Sequence, residues 1–114
     1  FVFNFREVDP QGNKKNWPKK KVADLALGEA GADLDDIDLA ELYAPCTITE
    51  ILVTEAIGLF ARGEGVHALQ EGLTSLRGEK PVNTSGGCLS RGHPPQITGL
   101  YGLLELREQL LGKA

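Results

Sequence analysis

The 114-residue chain has no methionine, one tryptophan and two cysteines. Nowhere does it approach the roughly 18 to 20 consecutive apolar residues that a membrane span requires. With no Met and a start at Phe1, it reads as a fragment of a longer product. The opening Phe1-Val2-Phe3-Asn4-Phe5-Arg6 lacks the basic lead-in and sustained apolar stretch of a secretory signal, so a cytoplasmic protein is expected. Cys46 and Cys88 form no C-x-x-C pair, and only two histidines accompany them. Neither a disulfide framework nor a zinc site is indicated, and no metal is expected. Basic residues are also outnumbered, 12 against 16 acidic, for a net charge of −4. That balance argues against nucleic acid as a principal partner.

What is present suits one small globular domain over 1–114, with 41% hydrophobic and 25% charged residues. The charge is unevenly spread. Lys14, Lys15, Lys19, Lys20 and Lys21 cluster ahead of an acidic stretch from Asp24 to Glu41. The lysines are read as a solvated helix entrance in preference to an anion site, since charge runs are usually just solvated. Phe1 to Val8 alternates as a strand, and Asp9 to Asn13 is turn chemistry. Pro18 suits the first turn of a helix carrying Val22, Leu25, Ala26 and Ala30, with Gly31 as its cap. Ile37 to Tyr43 reads as a short buried strand ended by Pro45. Thr47-Ile48-Thr49-Glu50 is a capping-box pattern opening a helix with Ile48, Ile51, Leu52, Ala56 and Leu59 as its stripe. Residues 66–80 read as loop with a helical turn, and 88–91 as a short strand. From Gln96 to about Leu111 a last helix carries Ile97, Leu100, Tyr101, Leu104 and Leu111 on one side. This order predicts an α/β fold, a layered mixed sheet with packed helices.

The densest special geometry lies in Asn83-Thr84-Ser85-Gly86-Gly87-Cys88-Leu89-Ser90-Arg91-Gly92-His93-Pro94. Paired glycines permit positive φ and close backbone approach. A histidine between Gly92 and Pro94, just ahead of a helix, is held in a rigid turn suited to a proton acceptor. On the residues alone, a catalytic histidine and one that merely hydrogen-bonds a turn are equally supported. His67 reads as surface, and Tyr101, at helical spacing, as core.

Val82-Asn83-Thr84-Ser85-Gly86-Gly87, then Ser90-Arg91-Gly92-His93-Pro94, then Thr98-Gly99 and a helix with Glu105-Leu106-Arg107, resembles the C-terminal domain of thiolases. The likeness is to the sterol-carrier-protein, or lipid-transfer, type. Ala30-Gly31, Asp35-Asp36-Ile37-Asp38, Glu41-Leu42-Tyr43 and Gly63-Glu64-Gly65 extend it over roughly residues 20–112, while 1–19 match weakly. The resemblance implies half of a thiolase fold, lacking the N-terminal half and the last strands.

It also implies roles. His93 would activate a cysteine supplied by the missing N-terminal half, for attack on an acyl-coenzyme A thioester. Tyr43 falls at the first position of the family's Asn-Glu-Ala-Phe or His-Asp-Cys-Phe motif, which helps hold a water or an oxyanion. A phenol there departs from the pattern while keeping a hydrogen-bond donor. Gly92, Asn83, Ser85, Gly86 and Gly87 are the substrate-side candidates, although Asn83 and Ser85 also suit a role in shaping the loop through local bonds. Cys46 and Cys88 fall away from the family's nucleophile position and read as packing residues. The coenzyme A thioester is substrate, and no cofactor is expected. Two readings stay open: an acyltransferase part working by thiolysis or Claisen condensation, and a non-catalytic module binding acyl-coenzyme A or a partner. Homo- or hetero-oligomerisation with a thiolase half or thiolase-like subunit is expected, and relatives of this type also suggest an OB-fold partner.

Overall fold

The computed structural model describes residues 6–8, 14–16, 19–94 and 96–114. The elements are β1 (Arg6–Val8), β2 (Lys14–Asn16), α1 (Lys19–Ala30), α2 (Thr47–Ile57), α3 (Gly65–Gln70), α4 (Gly87–Arg91) and α5 (Thr98–Leu110). β1 falls within the expected opening strand and pairs antiparallel with β2, Glu7 opposite Lys15. No strand was expected at β2. The expectations for residues 1–5, the 9–13 turn and Pro18 lie outside the described residues.

α1 ends as its sequence predicts. Gly31 takes φ +66, and the Ala32 N–H donates to the Leu27 carbonyl at 3.0 Å. α1 packs on α2, but neither helix buries the whole of its predicted stripe. Ala23 and Leu27 are the buried residues of α1, while Leu25 is exposed. In α2, Ile48 and Leu52 are exposed, and Val53 and Thr54 are buried. Burying Thr54 is tolerable because its Oγ1 donates to the Ile51 carbonyl at 2.8 Å. The central cluster is Ala40, Leu42, Val53 and Val82, with Ile57 and Leu59 packed against it.

The layered mixed sheet is not present among the described residues. Apart from the β1–β2 hairpin, strand pairing reduces to one parallel bridge, Ala40 to Val82. There the Ala40 N–H donates to the Pro81 carbonyl at 2.9 Å, and the Asn83 N–H donates to the Ala40 carbonyl at 2.8 Å. The next rung fails because Asn83 turns to φ +52 and gives its carbonyl to the Gly86 N–H at 2.8 Å. Lys80 pins the two segments together: its ammonium donates to the carbonyls of Ile37 (2.9 Å), Asp35 (3.3 Å) and Leu34 (3.5 Å).

The strand expected at 88–91 is instead helix α4. Gly86 and Gly87 at φ +86 and +55 reverse the chain, and the Ser90 N–H reaches back to the Gly86 carbonyl at 3.1 Å. So short a segment carries no periodicity able to separate strand from helix. α3 supplies the helical turn expected in 66–80. α5 fits its predicted span, but of its residues only Gly102 is buried. Leu100, Leu103, Leu104 and Leu110 are all about half exposed or more. Among the described residues no helix is long and apolar enough to cross a membrane.

Candidate functional site

Tyr43 ends the segment that follows the bridge, and His93 stands in the turn between α4 and α5. Fifty positions apart in sequence, they meet: the Tyr43 hydroxyl lies 2.5 Å from His93 Nε2, with ring centroids 5.1 Å apart and planes tilted by 55°. With the imidazole proton on Nδ1, the phenol donates and Nε2 accepts. His93 is exposed and Tyr43 half-buried, so the pair sits at the surface.

Gly92 makes the turn possible. Its φ of +91 and ψ of 168 lie in a region open essentially to glycine alone. On the α5 side, the Pro94 carbonyl accepts from the Ile97 and Thr98 N–H groups at 3.2 Å each and from Thr98 Oγ1 at 2.7 Å. The ring is therefore anchored between two helices.

Asn83 and Ser85 are committed to protein partners. Oδ1 of Asn83 accepts the Leu42 N–H at 2.7 Å, and Nδ2 donates to Glu50 at 2.5 Å. The side-chain amide thus supplies the rung that its own backbone carbonyl has abandoned. Ser85 donates through both N–H (3.0 Å) and Oγ (2.7 Å) to the buried carboxylate of Glu41, while its Oγ accepts from the Gly87 N–H at 3.1 Å. Gly86 and Gly87 permit the tight approach. A Cβ at Gly86 would fall 2.6 Å from Cβ of Ser90. The loop is thus fastened beside Leu42, next to Tyr43.

Cys46 is exposed at the N-terminal boundary of α2, and Cys88 is buried in α4. His67 is exposed on α3, and Tyr101 lies under the Arg91 guanidinium, 5.6 Å from ring centroid to Cζ. Among the described residues no group of three or more His, Cys, Asp and Glu side chains could hold a metal ion.

Sequence reasoning missed Glu41, Glu50 and Arg91. For Glu41 a signal was available, since a carboxylate inside the apolar run Ala40-Glu41-Leu42 must find partners once buried.

A family model described as thiolase C-terminal domain-like matches residues 15–114. The chain belongs to this family. It is 43% identical over 79 residues to the acetyl-CoA acetyltransferase of Methanothermobacter thermautotrophicus, covering 69% of this chain and 21% of that protein. To human sterol carrier protein 2 it is 37% identical over 95 residues, 83% of this chain and 17% of the relative. To the benzoylsuccinyl-CoA thiolase subunit of Thauera aromatica it is 38% identical over 71 residues, 62% and 18% respectively. The thiolase-like chain thus spans about a fifth of the length of these curated relatives.

Proposed function

We propose that this thiolase-like domain contributes the base of an acyl transfer on acyl-coenzyme A thioesters. The observation that carries the reading is the Tyr43–His93 contact, which sets an exposed imidazole against a phenol and, with the ring proton on Nδ1, makes Nε2 the acceptor. His93 Nε2 takes the proton of a cysteine thiol supplied by the rest of the thiolase, and the sulfur attacks the thioester carbonyl carbon. The Tyr43 hydroxyl turns to donate to the oxygen as it gains charge. Collapse of that adduct expels the coenzyme A thiolate, which recovers the proton from His93 and leaves an acyl-enzyme. Carbon–carbon bond formation or its reversal follows on a second substrate molecule.

The bareness of α5 supports the reading. An exposed row of leucines, Leu100, Leu103, Leu104 and Leu110, suits burial against a larger body, and the remaining four fifths of a thiolase would cover it and complete a layered sheet around 37–44 and 80–84. Association with an N-terminal thiolase half or a thiolase-like subunit, homo- or hetero-oligomeric, belongs to the same proposal, as do an OB-fold partner and a cytoplasmic site of action.

A second reading has one observation in its favour: Nε2 is already engaged by a phenol, which suits a module that binds the thioester without turning it over. Assaying thioester cleavage by the assembled thiolase separates the two. His93→Ala lowers the rate by about 10²- to 10⁴-fold if the ring is the base. An unchanged rate removes it from the mechanism.

A further inference from the structure

We propose that Glu41 is a positioning residue, whose buried carboxylate, acting through Arg91 and Ser85, sets the Gly92-His93-Pro94 turn against Tyr43. The inference rests on the reading of His93 as the base, and it names what aims that base. A carboxylate is costly to remove from water unless its oxygens are matched by donors and positive charge. The Glu41 side chain is 3% exposed, and both of its oxygens are used. Oε1 accepts from the Ser85 N–H at 3.0 Å and from Thr84 Oγ1 at 3.4 Å. Oε2 accepts from Ser85 Oγ at 2.7 Å and faces an Arg91 guanidinium nitrogen at 4.0 Å.

Arg91 extends the arrangement to α5. Its other terminal nitrogen lies 3.7 Å from Glu105, and the guanidinium covers the Tyr101 ring. Glu105 in turn accepts from Gln109 at 2.9 Å, and Gln109 donates to Thr84 Oγ1 at 3.3 Å. The loop, the end of α4 and the face of α5 thus converge on one carboxylate.

The register is what turns a structural network into a positioning device. Glu41 stands two residues before Tyr43, and Arg91 two residues before His93. Glu41···Arg91 and Tyr43···His93 are therefore successive cross-links between the same two stretches of chain. Glu41, Tyr43, Arg91 and Gly92 line one crevice. Gly92, with nothing within 4 Å of the place a Cβ would occupy, cannot hold the turn by packing. The bonds to the Pro94 carbonyl hold the turn on the α5 side, and the cross-link just before Gly92 holds it on the α4 side.

The test reads the histidine directly. The chain has two histidines, so imidazole ¹⁵N spectra of the whole chain resolve His93 against the exposed His67 as internal reference. A ring held by the Tyr43 phenol shows the Nδ1-protonated tautomer. In Glu41→Gln and Arg91→Gln that signature is lost and the pattern approaches that of His67, whereas Arg91→Lys, which keeps the charge, retains most of it. In the assembled thiolase the same two Gln variants lower kcat about 10- to 100-fold with KM changed less than about twofold. A folded Glu41→Gln or Arg91→Gln that keeps the wild-type signature overturns the proposal, as does a wild-type chain that lacks it. If Glu41→Gln does not fold, the partly exposed Arg91 decides by itself. Loss of the signature in a thiolase that never cleaves thioesters keeps the positioning role and defeats the acyl-transfer reading.

Discussion

Glu50 accepts a hydrogen bond from Asn83 at 2.5 Å, thirty-three positions away in sequence. This bond takes the carboxylate out of the helix start at which the Thr47–Glu50 pattern predicts it. α2 does begin at Thr47, but its N-cap is Cys46 and no side chain caps it. Asn83 thereby holds Glu50 with one end of its amide and Leu42 with the other.

Replacing Asn83 by Ala removes both bonds and places a Cβ-bearing residue without a local polar partner at φ +52. The two lost bonds, one of them to a charged group, are together worth about 2–4 kcal/mol. Asn83→Gly loses the same bonds while accepting the positive φ, so it is expected to be about 1 kcal/mol less damaging than Asn83→Ala. Urea titrations of the two variants check both figures.

Gly92→Ala isolates backbone conformation from packing, because no atom beyond its chain neighbours lies within 4 Å of the added Cβ. Forcing alanine to φ +91 with ψ 168 costs about 1–3 kcal/mol, which the turn relieves by moving. The expected outcome is loss of the Tyr43–His93 hydrogen bond, read from the imidazole spectrum, in a domain that remains folded.

Two glycines predict opposite signs. A Cβ at Gly78 would lie 2.2 Å from the Leu73 carbonyl oxygen and 2.4 Å from that of Gly72, both backbone atoms. Gly78→Ala therefore opens the turn leading to Lys80 and destabilises by about 2 kcal/mol or more. Gly28 lies inside α1 with open space around it, so Gly28→Ala stabilises by about 0.5–1 kcal/mol. Thermal melts of the pair give the comparison.

Lys80→Met keeps the aliphatic stem but withdraws the ammonium from three carbonyls, those of Leu34, Asp35 and Ile37. A loss of about 1–3 kcal/mol is expected. Hydrogen exchange at Ala40 and Asn83 should quicken, since their N–H groups form the bridge that Lys80 holds in register.

Local signals carried much of the fold. α1, α2 and α5 were legible from apolar spacing and from stop signals such as Gly31, and the Gly92-His93-Pro94 turn from its two flanking residues. The sides that the helices bury were not. Ile48 and Leu52 fit a stripe as well as Val53 does, and which of them is covered depends on neighbours far along the chain. The sheet failed for a related reason: Ile37 to Tyr43 has the composition of a buried strand, but pairing beyond Ala40 is intercepted by the Asn83 side chain. In the candidate site, His93 and Tyr43 were visible by residue type and motif position. Their 2.5 Å contact and the Glu41–Arg91 cross-link beside it are products of chain reversal at Gly86 and Gly87; the paired glycines signal special backbone geometry, but not which distant residues it brings together.

The most direct measurement is intact-mass and peptide mapping of the assembled thiolase after brief exposure to an acyl-coenzyme A. The account predicts an acyl adduct on a cysteine outside residues 1–114, formed at least about 10²-fold more slowly in His93→Ala. An adduct on Cys46 or Cys88, or one that forms at the parent rate without His93, would contradict it.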